Sequence, residues 1–151
     1  MLRRLTVPAL VFSGLCLFAT GASAQDRTHL SEYRAALMEG LRAHTGGLRS
    51  LVTGEVSHRD HVVLQARAAA DVADMLQGVW PEGSGGDGTR ALPAVWEDPD
   101  DFKRRLDALR DATARLRERA EAGDMEGVGA ALQDVGGMCR DCHTTYRARA
   151  N

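Results

Sequence analysis

The stretch MEGVGAALQDVGGMCRDCHTTY, residues 125–146, sets Met125, Val128, Leu132, Val135, Cys139, Cys142 and Tyr146 at three- and four-residue steps. That spacing predicts a helix with one inward stripe, and two cysteines occupy the stripe itself. Asp124 stands where an N-cap belongs, and Gly123 where the preceding helix should stop. Inside the stripe, Cys139-Arg140-Asp141-Cys142-His143 has the Cys-x-x-Cys-His pattern of c-type haem attachment. Residues three and four apart on a helix share a face, so Cys139 and Cys142 can reach the two vinyl groups along one porphyrin edge. His143, one turn after Cys139, can bring its imidazole under the ring as an axial iron ligand. A cofactor held by this stripe lies inside whatever bundle the helix joins.

Other chemistries compete for the same residues. A structural disulfide between Cys139 and Cys142 suits an oxidising compartment. A thioredoxin-like dithiol belongs near a βαβ pattern, and no segment here reads as strand. A zinc site wants two further ligands at finger spacing, and the remaining histidines are distant in sequence.

The N-terminus points to an oxidising compartment. Met1-Leu2-Arg3-Arg4 is a short basic region, Leu5 to Thr20 is apolar, and Ala22-Ser23-Ala24 is a small-x-small cleavage site before Gln25. The apolar run is short for a membrane span. Cys16 invites a lipoprotein reading, but Leu15 is too large for the small residue that precedes a lipidated cysteine. Residues 1–24 are therefore expected to be a cleaved secretory signal peptide, with 25–151 as one helical haem domain and no membrane association after cleavage. Cleavage discards Cys16 and leaves both remaining cysteines in the motif. It also removes Arg3 and Arg4 without an acid, making the formal charge of −2 more negative. No basic patch calls for nucleic acid, and mild acidity implies solubility with some preference for basic partners.

Upstream, Leu30, Leu37, Leu41, Leu48 and Leu51 predict a first helix from about Thr28 to Val52, with Met38 and Val52 beside the stripe. Gly46-Gly47 marks close packing or a weak point, and Gly54 ends the pattern. Ser57 and Asp60 announce a second helix, whose stripe is Val62, Ala66, Ala69, Ala73 and Leu76. So small a face must lie against something bulky. Val79 to Glu97 is rich in glycine and proline, a long connection whose Trp80 and Trp96 should pack back on the body. Asp98-Pro99 opens a third helix, with Phe102, Leu106, Leu109, Thr113, Leu116 and Ala120 inward. Arg104 to Arg119 interleaves with Asp107, Asp111 and Glu118 as an ion-paired outer face. Four amphipathic helices, two short links and one crossover predict an all-α, antiparallel up-down four-helix bundle enclosing a covalently attached haem.

The chain resembles the class II cytochromes c, meaning cytochrome c′ and its low-spin relatives. The C-terminal Cys139-Arg140-Asp141-Cys142-His143 followed by Tyr146-Arg147 carries the resemblance. So do Tyr33-Arg34 in the first helix and Leu92-Pro93-Ala94-Val95-Trp96 ahead of Phe102-Lys103. The likeness spans the mature chain and is looser in the glycine-rich crossover. It implies one haem c per chain, held by Cys139 and Cys142, with His143 as the solvent-side axial ligand. By position, Arg147 resembles the basic residue beside the proximal imidazole, and Arg34 matches an arginine that meets a haem propionate. A solvated helix face is the competing reading for both.

Met38 matches the position that faces the distal side of the iron. A methionine there packs or ligates, and ligation is the expectation carried forward, with Met38 as sixth ligand. His44, six residues on, is rotated away toward a rim or surface place. His58 and His61 are half a metal site without a cysteine or carboxylate cluster, so a solvated helix end is expected. The implied function is a periplasmic one-electron carrier serving redox partner proteins. The alternative is five-coordinate iron that binds nitric oxide or carbon monoxide for buffering, sensing or detoxification. A dithiol redox module on Cys139 and Cys142 is the reading without haem. No Ser/His/Asp or paired-carboxylate set suggests an enzyme. A homodimer through the first two helices is a further implication of the resemblance.

Overall fold

The structure, a computed structural model, describes residues 24–149; the expected signal peptide lies almost wholly outside them. Long helices occupy the predicted places: α1 (Ala24–Val52), α2 (His61–Met75), α4 (Pro99–Glu121) and α5 (Met125–Tyr146). A 3₁₀ turn, Leu76–Gly78, extends α2, and a one-turn helix, α3 (Ala94–Glu97), lies in the crossover. Four residues are too few to show a period, which is why sequence reading missed α3. α1 begins four residues before the predicted Thr28 and runs unbroken through Gly46-Gly47. Gly47 accounts for the close packing there, since a Cβ on it would meet the Gln65 side chain at 3.3 Å, whereas Gly46 faces open space.

Around the bundle the neighbours run α1, α2, α4, α5, and α5 closes back on α1. Short links at residues 53–60 and 122–124 force antiparallel neighbours, as helix pairs joined this way must be. The predicted stripes are the buried faces. Leu48 and Leu116 have no exposed surface, and neither do Ala66, Ala69 and Ala73 of α2. The alanines let α2 approach α1 and α4 closely. Each fully buried leucine is worth about 1.5–3 kcal/mol in surface removed from water.

Helix ends follow local chemistry. Asp98 accepts from the Asp101 amide at 3.2 Å, with Pro99 just inside the helix. Asp124 accepts from Gly127 N at 2.9 Å. Such caps contribute about 1 kcal/mol each. Gly123, at φ +70°, takes the left-handed conformation that lets Asp124 N bond back to Arg119 O at 3.0 Å and end α4. Asp60 holds the N-cap position of α2 but makes no capping bond, because its backbone is already helical at φ −61°, ψ −22°.

The crossover packs back through both tryptophans, as expected. Trp80 donates Nε1–H to Leu76 O at 2.8 Å and meets Phe102 edge-on at 4.9 Å. Trp96 donates to Pro81 O at 2.9 Å. The crossover also pairs with the chain just beyond the haem motif. Leu92 N donates to Tyr146 O at 2.9 Å, Ala148 N to Arg90 O at 2.8 Å, and Ala91 bridges Arg147 in antiparallel fashion. This strap pins the C-terminal end of α5.

Candidate haem-attachment site

Cys139 and Cys142 are free, half-buried thiols on the inward side of α5. With Met38 of α1 they belong to the partly buried apolar side chains packed on the main core. Burial pushes both thiols above the usual cysteine range, against the pull of Arg140 on Cys139 and of Arg105 on Cys142. A redox-active dithiol needs the opposite, a thiol lowered toward neutrality. No third or fourth metal ligand joins the cysteines among the described residues, so a zinc site has no support either.

His143 is half-buried one residue on. Burial first, then the charges of Arg147 and Arg90, lower its pKa below the ordinary histidine value of 6.5. The imidazole is therefore neutral at pH 7, the form that ligates a metal. Arg147 ends α5 in extended conformation and is exposed. The strap brings Arg90 beside it, with Arg90 Nη2 donating to Ala148 O at 2.7 Å.

Arg34 is not on a solvated face: it is 3% exposed. Its guanidinium donates to Ser84 O at 2.7 Å, Ser84 Oγ at 2.9 Å and Val79 O at 3.3 Å. It also lies over the Trp80 ring at 4.8 Å and the Trp96 ring at 5.8 Å. Among the described residues no carboxylate pairs with it, and burial lowers its pKa from 12.5. A buried cation without a counter-ion is costly, and an anionic group reaching this wall would offset that cost.

Met38 is half-buried. His44 is half-buried too, but its Nδ1 is engaged by Gln65 Oε1 at 2.7 Å. Sequence reading missed the set that fixes the end of α5. Tyr146, 4% exposed, reaches Asp101 of α4, which also holds Arg104 and Arg105. The Asp101–Arg104–Arg105 spacing was a legible ion-pair signal; the tyrosine was not. Within the predicted run on the outer face of α4, Arg110 pairs with Asp107 and Asp111, each at 3.4 Å, and Lys103 just before it pairs with Asp107 at 2.6 Å.

The residues present fit a covalent porphyrin: two free inward thiols, a neutral imidazole beside them, apolar packing around them and a buried guanidinium that has neutral hydrogen-bond acceptors but, among the described residues, no carboxylate partner. Fold and site together define a four-helix haem-binding protein of the c type. The family model described as Cytochrome C' matches residues 29–147. Cytochrome c' of Pararhodospirillum photometricum is 33% identical over 117 residues, covering 77% of this chain and 94% of the relative. Cytochrome c-554 of Cereibacter sphaeroides is 28% identical over 155 residues, covering 98% and 99%. A nitric oxide complex of a mutant cytochrome c prime from Alcaligenes xylosoxidans superposes with a TM-score of 0.77 at 25% identity, over 82% of this chain and 97% of that one. The chain belongs to the cytochrome c' family, which carries covalent haem c with iron.

Proposed function

We propose that the chain is exported to the periplasm, after cleavage of residues 1–24, as a haem c protein whose iron, held by His143, would bind a diatomic gas. Nitric oxide and carbon monoxide are the ligands proposed. The observation that carries this reading is the likeness to a nitric oxide complex of a family member over nearly all of that chain. When bound, the haem supplies a one-electron iron couple and a coordination position. The protein's own groups do the rest. Cys139 and Cys142 would tether the group by thioethers, and His143 would offer its neutral imidazole to the iron. Arg34 presents its buried guanidinium to a propionate, and in doing so ties that group to the crossover through Ser84. Arg147 adds positive charge beside the imidazole. Met38, packed on the same core as the cysteines, would help keep water from the iron.

The thioether of Met38 favours a second reading, in which its sulfur is the sixth ligand and the protein is a one-electron carrier for redox partners. Self-association through α1 and α2 belongs to either reading, supported by Tyr33, Leu64 and Met75, exposed by 47%, 61% and 45%. The test is the absorption and electron-paramagnetic-resonance spectrum of the matured protein, with carbon monoxide added to the reduced form. High-spin ferric iron and ready uptake of the gas are expected. Low-spin iron indifferent to the gas would replace the gas-binding reading by the carrier, and a colourless product would end both.

A further inference from the structure

At the end of the bundle away from the haem motif, His58, Asp60 and His61 stand together, all exposed, with one candidate ligand atom from each within 4.8 Å of the others. From this arrangement we infer a second metal site, one for a borderline divalent transition ion such as zinc, formed by the two imidazoles and the Asp60 carboxylate. It is independent of the haem-attachment motif, Cys139 to His143, which lies roughly 25 Å away along α5.

The carboxylate is the informative member. Among the described residues three aspartates hold N-cap positions. Asp98 and Asp124 both accept amide hydrogens from their helices, while Asp60 caps nothing. Its Oδ2 instead lies 3.8 Å from His61 Nε2. The expected solvated helix end is what the exposed histidines form, and Asp60 adds a single carboxylate beside them. Their rings stack at 5.1 Å between centroids and 18° between planes. Beneath them the backbone is held as a turn, with His61 N donating to His58 O at 3.0 Å and Val62 N to Arg59 O at 3.2 Å. The three side chains thus leave one turn in a fixed relation.

Tetrahedral zinc with bonds near 2.0–2.1 Å wants ligand atoms about 3.3 Å apart. Closing from within 4.8 Å would take side-chain rotations, for which all three exposed side chains have room, although the two rings would have to leave their stack. Imidazole nitrogens with one carboxylate suit zinc, nickel or copper, whereas magnesium and calcium prefer all-oxygen shells. Three protein donors leave a position for water. The positive end of α2 and the neighbouring Arg59 oppose a cation, and the Asp60 charge offsets them.

The experiment is calorimetric titration of the haem-loaded protein with zinc near neutral pH, comparing wild type with His58→Ala, His61→Ala, Asp60→Asn and the control His29→Ala. One saturable equivalent per chain is expected in wild type and control. Affinity should fall by at least about tenfold in either alanine variant of the pair, and should weaken in Asp60→Asn. Copper added in place of zinc should show two-nitrogen hyperfine structure in wild type and one-nitrogen structure in each of those alanine variants. Wild-type protein without saturable zinc binding, or His58→Ala and His61→Ala proteins that bind as wild type does, would overturn the site.

Discussion

Tyr146 Oη donates to Oδ2 of Asp101 at 2.6 Å and joins the last turn of the haem-bearing helix to the first turn of α4. Arg105 Nε donates to the same oxygen at 2.7 Å and Arg104 Nη2 to the other at 2.8 Å. The Tyr146 hydroxyl first, and Arg105 next, hold the Asp101 carboxyl down to about 2. Burial and the bond to Asp101 push Tyr146 up to about 12.

These shifts fix a pH window. A carboxylate depressed on folding stabilises above its unfolded pKa of about 3.9 and loses that contribution as pH falls toward 2. A phenol raised on folding stabilises below about 10 and loses that contribution as pH rises toward 12. Between those limits the pair neither gains nor loses a proton. Asp101→Asn should melt below wild type at neutral pH, with the gap narrowing from about pH 4 to about pH 2. Melting curves across that acid range are the check, and a constant gap would show that the carboxylate's charge is not what holds Tyr146.

Gly85 gives a steric prediction. A Cβ there would lie 2.6 Å from Cζ3 and 2.9 Å from Cη2 of Trp96. The ring cannot swing away without breaking its bond to Pro81 O. Gly85→Ala should therefore cost about 1–3 kcal/mol. Gly46→Ala, in the interior of α1 with open space before it, should instead stabilise by up to about 1 kcal/mol. Denaturant midpoints of the two variants should move in opposite directions.

Arg34 carries a prediction about the cofactor. Arg34→Met keeps much of the side chain's length but removes its charge and its three hydrogen bonds to Val79 and Ser84. If the guanidinium meets a propionate, losing a positive charge beside the haem favours ferric iron. The reduction potential should then fall by tens of millivolts. Amide exchange in the 79–89 segment should quicken as well. Faster exchange with an unchanged potential would make Arg34 a strut for the crossover and nothing more.

What sequence could convey depended on the range of each interaction. The stripes of α1, α2, α4 and α5 were legible because burial on one helix face imposes a period on that helix alone. Cys139, Cys142 and His143 were legible because their spacing lies within a single turn. Arg34 was harder: a charge on a helix is normally solvated, and only the folded crossover, bringing Ser84 and two tryptophans around it, makes the site buried. The contact of Tyr146 with Asp101 spans 45 residues and two helices, and no local pattern announces it. Asp60 read as a cap by residue type, but its helical backbone withdraws it from that role.

The spectroscopic consequences of Met38 separate the two functional readings. Its side chain is half-buried among the residues packed on the core with both cysteines, so replacing it should leave the bundle folded. Leucine conserves its volume at a cost of less than about 1.5 kcal/mol. Under the gas-binding proposal, wild-type ferric protein is high-spin and Met38→Leu remains so, since neither side chain occupies the sixth position. Met38→Ala then opens that side of the iron, and carbon monoxide uptake by the reduced protein should quicken. Under the carrier reading, wild type is low-spin and Met38→Leu converts it to high-spin, with the reduction potential falling as the thioether is lost. Spin state in two proteins, wild type and Met38→Leu, is therefore enough to decide whether this sulfur packs or ligates.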